Sequence, residues 1–193
     1  MSGKREDKRV VYTKMFLKEA LLQLMKEKPI DKISVTELCR RAEINRNTFY
    51  AHYDTPKSVL KEMEDELLTE IISLFPGTVG ESNRMRTNTI CNLVYEKREL
   101  CRVLMSDNAG SLFLEKVLAS FQSRVLNEWE NSGIHADPKS YELMFEYLGI
   151  GSASVIRKWI VSDLNYTPAE VADMIDVLCE GSLLALVKKR EAE

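Results

Sequence analysis

The chain has no run of the ~18 apolar residues that a membrane-crossing helix needs. Its first residues, MSGKREDKRVVYTK, are basic but are followed by neither the apolar core nor the cleavage pattern of a secretory signal. A cytoplasmic protein without a membrane partner is therefore expected. Cysteine is sparse: Cys39, Cys91, Cys101 and Cys179 form no CxxC pair, and their spacing fits no zinc module. Each lies in an apolar-periodic stretch, which predicts buried, reduced thiols. Histidine is scarcer still, with only His52 and His135, which argues against a histidine metal cluster within one chain. GxSxG, P-loop and GxGxxG patterns are all missing. The carboxylates fall on helix caps and exposed helical faces. No enzyme, metal site or cofactor is expected.

What is present is helical. With 45% hydrophobic and 30% charged residues over 193 positions, the composition is that of a globular protein able to build a core. No period-two strand pattern competes with about nine helical segments, so the predicted class is all-α. The five prolines punctuate them. The first helix runs over roughly 11–26, with Phe16, Leu17, Ala20, Leu21 and Leu24 as its apolar stripe, and Pro29 stops it. Thr55-Pro56 is a cap followed by a first-turn proline, opening a helix of some twenty residues that ends before Pro76-Gly77. Residues 77–83, GTVGESN, read as a linker. Helices over about 84–96, 98–105 and 112–131 follow, with a turn at 106–110 and a stop at Asn131-Ser-Gly133. Asp137-Pro138 opens a helix reaching about Ser162, apolar around much of its circumference and therefore expected to bury two faces. Gly149, Gly151, Ser152 and Ala153 thin one region of it. Thr167-Pro168-Ala169-Glu170 combines cap, first-turn proline and capping box for the last helix.

The most informative stretch is Ser34 to Tyr53, SVTELCRRAEINRNTFYAHY. Ser34 and Glu37 have capping-box spacing. Val35, Leu38, Cys39 and Ala42 form one apolar face. Glu43 breaks that pattern, Asn45 can cap a second short helix, and Ile44 and Phe49 have the spacing of a hydrophobic staple. Phe49 and Tyr53 can then point inward, leaving Arg46, Asn47, Thr48, Tyr50 and His52 outward. A short anchored helix with hydrogen-bonding side chains on its free side suits the DNA major groove. A helical hairpin in an ordinary α-protein has the same spacing.

Charge separates along the chain. Residues 1–57 hold thirteen Lys/Arg and eight Asp/Glu, net +5, and the remainder is net −8. A basic head on an acidic body suits a polyanion at one end only.

The order Ser34-Val-Thr-Glu-Leu, Arg41-Ala42, Ile44-Asn45, Thr48-Phe49-Tyr50 and His52-Tyr53 resembles the amino-terminal domain of TetR-family transcription regulators, over roughly residues 9–62. The resemblance implies a basic arm at 1–9, a helix-turn-helix DNA-binding domain at 10–55, a connecting helix at 56–76 and an effector-binding and dimerisation domain at 77–193. It also implies a homodimer on a palindromic double-stranded DNA operator, with repression the commoner mode and a small-molecule effector releasing the DNA. Within that frame Arg46 can contact guanine and Asn47 adenine. Thr48 can reach a base methyl or a phosphate, and Tyr50 and His52 phosphates. Ser34 and Thr36 present a helix amino terminus to a phosphate. Two positions depart from the family pattern. Glu43 stands where a small residue, often glycine, is usual. Pro56 stands where a lysine is usual, with Lys57 one place later as its possible replacement. The last two helices, with Tyr147-Leu-Gly149, Trp159 and Thr167-Pro168, look similar to the dimerisation pair of one TetR subgroup. Leu93, Val94, Phe113, Phe121 and Trp129 fit either an effector pocket or a plain core. The alternative function is a TetR-like protein-interaction module or co-activator working through a partner protein, as activators of dihydroxyacetone-kinase operons do.

Overall fold

The computed structural model describes residues 8–74, 83–106, 112–131, 137–163 and 165–191. Most of the basic arm (1–7), most of the 77–83 linker, most of the 106–110 turn and the Ser132-Gly133 stop lie outside them. Among the described residues there are nine α-helices and no strand: α1 Lys8–Glu27, α2 Val35–Ala42, α3 Arg46–Tyr50, α4 Pro56–Ser73, α5 Asn83–Glu96, α6 Arg98–Leu104, α7 Phe113–Asn131, α8 (138–161) and α9 Pro168–Glu191. A 3₁₀ turn, Ile30–Lys32, follows α1.

The caps explain where these helices begin. Thr55 Oγ1 accepts from Ser58 N at 3.2 Å ahead of α4. Asp137 Oδ1 accepts from Lys139 N and Ser140 N at 3.1 and 3.2 Å ahead of α8. Thr167 and Glu170 close a full capping box: Glu170 Oε2 accepts from Thr167 N at 2.7 Å, and Thr167 Oγ1 accepts from Glu170 N at 3.3 Å. Each satisfies amide groups that a helix start leaves unpaired.

The chain divides into two units, with the divisions falling inside α4, after Leu67, and inside α6, after Arg102. Unit 1 comprises Met1–Leu67 and Val103–Ser111. It buries Leu17, Ala20, Leu21, Leu24 and Met25 of α1, Leu38 and Cys39 of α2, Phe49 of α3, and Val59, Leu60 and Met63 of α4. Phe16, expected on the α1 stripe, is instead 45% exposed. The buried face follows Leu17, Leu21 and Leu24 at helical spacing, and Phe16 sits one position round from it, beside exposed Tyr12 and Met15. Lys18 and Lys14 of α1 both pair with Glu62 of α4, at 2.9 and 3.2 Å.

Unit 2 comprises Leu68–Arg102 and Leu112–Glu193. Trp129, Phe145 and Leu148 form a buried cluster to which α7, α8 and α9 contribute, with Leu118, Val125, Cys179 and Leu183 packed against it. Helices α5 and α9 run parallel: Arg84 Nε donates to Asp173 Oδ1 and Thr87 Oγ1 to Asp176 Oδ1, both at 2.8 Å and with the same sequence offset. Arg86 of α5 makes a bidentate pair with Glu128 of α7, one arm at 2.8 Å. Arg102 donates to Ile160 O at 3.2 Å and to Asp163 at 3.0 Å, closing the carboxyl end of α8. Leu93, Val94, Phe113, Phe121 and Trp129 are all buried.

Helix α8 differs from its expectation in two ways. It is interrupted by a π-helical turn, Glu146–Ile150, between Pro138–Phe145 and Gly151–Val161. A Cβ on Gly149 would come within 3.3 Å of Leu118 Cδ2 on α7, so that glycine permits a close approach. Among the described residues one of its faces is covered: Phe145, Leu148, Trp159 and Ile160 are buried, whereas Leu143, Tyr147 and Ile150 are exposed.

Candidate nucleic-acid interface

The site is built from α2, α3 and the start of α4, all within unit 1. Ser34 leaves extended backbone to cap α2, its Oγ accepting from Glu37 N at 3.2 Å. The Glu37 carboxylate takes Lys28 Nζ at 2.7 Å, and this bond, ahead of a smaller share from the Ser34 amide, holds its pKa below the usual carboxylate value. Arg41, at the other end of α2, pairs with Glu27 of α1 at 3.1 Å. Salt bridges at both ends of α2 thus tie it to the carboxyl-terminal end of α1 and the residue that follows.

The turn to α3 passes through Glu43 at φ 55°, ψ 32°, a left-handed conformation that residues with a Cβ adopt only at a cost. Asn45 then caps α3, its Oδ1 accepting from Asn47 N at 2.8 Å. Phe49 is fully buried, and Tyr53, whose ring centroid lies 5.9 Å from that of Phe49, is buried beside it. These two rings anchor α3 from beneath. Arg46, Asn47, Thr48 and Tyr50 are left on its exposed side. Tyr50 is 57% exposed, its ring edge-on to Phe49.

The remaining predicted site residues are placed less simply. His52 lies past the end of α3, in the turn, and is only half-exposed. Ser34 and Thr36 are exposed at the amino-terminal end of α2. Arg46 donates through its NH2 to Thr36 Oγ1, so two expected DNA contacts satisfy each other. Lys57 is exposed one residue into α4, with its Nζ 2.5 Å from Asp31 Oδ1 in the 3₁₀ turn. Sequence pattern gives Asp31, Lys28 and Arg41 no part in these pairings. Their partners are brought near by the turns between helices and not by helical spacing, so no local signal marks them.

Cys91, Cys101 and Cys179 belong to unit 2, outside the unit that carries these residues. Cys39, Cys91 and Cys101 are buried free thiols, and Cys179 is a half-buried one. Burial pushes the thiol pKa of Cys91 and of Cys101 up to about 12. Among the described residues no His, Cys, Asp or Glu group is arranged to hold a metal, and no helix is long and apolar enough to cross a membrane.

A short capped helix held on a second helix through a left-handed turn, with polar side chains facing out of an all-helical chain, has the form of the helix-turn-helix transcriptional regulators. Residues 85–181 match a TetR family model described as "Transcriptional regulator C-terminal region", which spans half of the chain. The chain belongs to the TetR family of transcriptional regulators, whose members are not enzymes. It is 22% identical over 168 residues to the uncharacterised HTH-type transcriptional regulator YxbF of Bacillus subtilis (strain 168). That match covers 82% of this chain but only 42% of YxbF. Its fold is similar to that of the dihydroxyacetone kinase operon activator DhaS, with TM-score 0.60 and 15% identity over 90% of this chain and 97% of DhaS. It is also similar to that of FadR from Bacillus subtilis in complex with stearoyl-CoA, with TM-score 0.64 and 14% identity over 86% of this chain and 98% of FadR.

Proposed function

We propose that this regulator binds a two-fold-symmetric operator as a homodimer, placing α3 of each subunit in the major groove, and that it represses until a small-molecule effector releases it. The observation that carries this reading is the α3 face: Arg46, Asn47, Thr48 and Tyr50 exposed on a helix that Phe49 and Tyr53 hold from below. In this reading Arg46 and Asn47 address base edges. Thr48 reaches a base methyl or phosphate, and Tyr50, His52 and Lys57 set register on the backbone. The amino-terminal end of α2, at Ser34 and Thr36, suits a further phosphate. Dimerisation through α8 and α9 is supported by the apolar side chains they leave uncovered, among them Leu143, Tyr147, Val177 and Leu178. Effector control is supported by the fold's likeness to FadR, which was solved with stearoyl-CoA bound.

A second reading is favoured by two particulars: the likeness to DhaS, an operon activator, and the pairing of Lys57 with Asp31, which occupies an expected phosphate contact. In it the chain activates through a protein partner. Selection of bound duplexes from a random library, at two salt concentrations, separates the two readings. Enrichment of a two-fold-symmetric site, with affinity falling steeply in salt, is the expected result. Failure to enrich any sequence, together with capture of a defined partner protein, transfers the function to the second reading.

A further inference from the structure

Arg46 and Thr36 meet across the junction of α2 and α3. The guanidinium NH2 donates to Thr36 Oγ1 although both residues lie at the surface. At this end of α2 the Ser34 hydroxyl accepts from Glu37 N, and the Glu37 carboxylate takes Lys28 Nζ. Three residues along the same face of α2, the Cys39 thiol feels the positive charge of Arg46, which opposes the rise that burial causes there. Arg46 therefore leans back over α2 from the first position of α3.

We propose that Thr36 is the positioning residue for Arg46: its hydroxyl holds the guanidinium in place before DNA arrives and is not itself a phosphate contact. The inference rests on the reading that α3 enters a major groove. Arginine has five N–H donors and no acceptor, so one bond to Thr36 leaves a two-donor edge free for guanine O6 and N7. The hydroxyl sits on a short side chain close to α2, so a bond to it limits where the long, otherwise mobile arginine can lie. Ordering that side chain in advance lowers the entropy lost on binding. The amino-terminal end of α2 can still face a phosphate through its dipole, separating two roles that the sequence pattern merges at Thr36.

The test titrates the intact protein against its selected duplex and against the same duplex changed at the base pair where Arg46→Ala relaxes preference, across a range of salt. Thr36→Val is expected to reduce discrimination between the two duplexes by about three- to tenfold, leaving the salt slope unchanged. Thr36→Ser, which keeps the hydroxyl, is expected to restore it, and Thr36→Val is expected to add nothing in an Arg46→Ala background. Equal loss on both duplexes would make Thr36 a phosphate ligand and overturn the proposal. So would unchanged discrimination. If the unsubstituted protein prefers no duplex, the groove reading itself fails and takes the proposal with it, an outcome distinct from the other two. Circular dichroism melts of each variant separate a lost contact from a lost fold.

Discussion

At Glu43 an L-residue occupies the left-handed region, φ 55°, with its N–H donating to Arg40 O at 3.3 Å. The sequence marks the place, because Glu43 interrupts an apolar face and departs from the small residue that the resemblance leads one to expect. Glycine avoids the Cβ clash but has more freedom to lose on folding, so Glu43→Gly is expected to add about 0.5–1 kcal/mol of stability. A thermal melt would show it as a rise of a few degrees, and an unchanged or lower melting temperature would refute it. The caps Ser34, Asn45, Thr55, Asp137 and Thr167 are legible for a local reason: each acts on an amide two or three residues away. The pairings of Lys28 with Glu37, Arg46 with Thr36 and Lys57 with Asp31 are not, because folding of the intervening turns creates them. Asp31 therefore yields a prediction that sequence alone could not motivate. Its carboxylate neutralises Lys57 and would face phosphate in the bound state. Asp31→Asn is expected to raise affinity for every duplex by about two- to fivefold, the scale of one exposed ion pair, and to steepen the salt slope by up to about one phosphate. Unchanged affinity and slope would place Lys57 away from the backbone.

At the scale of elements, the all-α class and the order of the helices follow from prolines, caps and 3.6-residue periodicity, which act locally. The π-helical turn in α8 does not, because it sits where Gly149 lets α7 approach and so depends on a partner helix. The α5–α9 seam is likewise tertiary, and it holds a group with a measurable signature. Asp176 is 7% exposed; its Oδ1 accepts from Thr87, and its Oδ2 is buried without a partner. Burial raises its pKa, the Thr87 bond opposes this, Glu180 and Asp173 raise it further, and Arg84 lowers it. A carboxyl whose folded pKa lies above its ordinary 3.8 binds more protons in the folded state. Its contribution to stability is therefore lost as pH climbs from 3.8 through the folded value. Asp176→Asn keeps an acceptor for Thr87 and cannot ionise. Its stability relative to the unsubstituted protein is expected to improve steadily over that rise in pH, as followed by denaturant melts at several pH values. A pH-independent difference would show that folding leaves the Asp176 pKa unshifted, and would refute the prediction.

At the scale of the whole molecule, the apolar surplus of the last two helices was visible in the sequence, but periodicity could not say whether it covered itself within one chain. In the structure it does so only in part. Leu143 and Val177 are each 70% exposed and Tyr147 73%, a large apolar area for two neighbouring helices of unit 2 to leave in water. Each fully buried side chain of this kind contributes about 1.5–3 kcal/mol, so a few of them, doubled by two-fold symmetry, can offset the entropy lost when two chains associate. The expected mass by light scattering is thus twice 22.2 kDa. Leu143→Glu combined with Val177→Glu puts a carboxylate at two solvent-facing positions, where an isolated chain tolerates it, but buries charge against charge in a dimer. That variant is expected to keep its helical circular dichroism while its mass falls to 22.2 kDa. Its affinity for a full two-fold site is expected to drop towards that for a half-site, because the second recognition helix is no longer tethered to the first. A variant that stays dimeric would move the interface away from this face. A monomeric starting protein would remove the symmetry argument for a palindromic operator altogether, leaving one α3 per binding event and a single half-site as the sequence to be read.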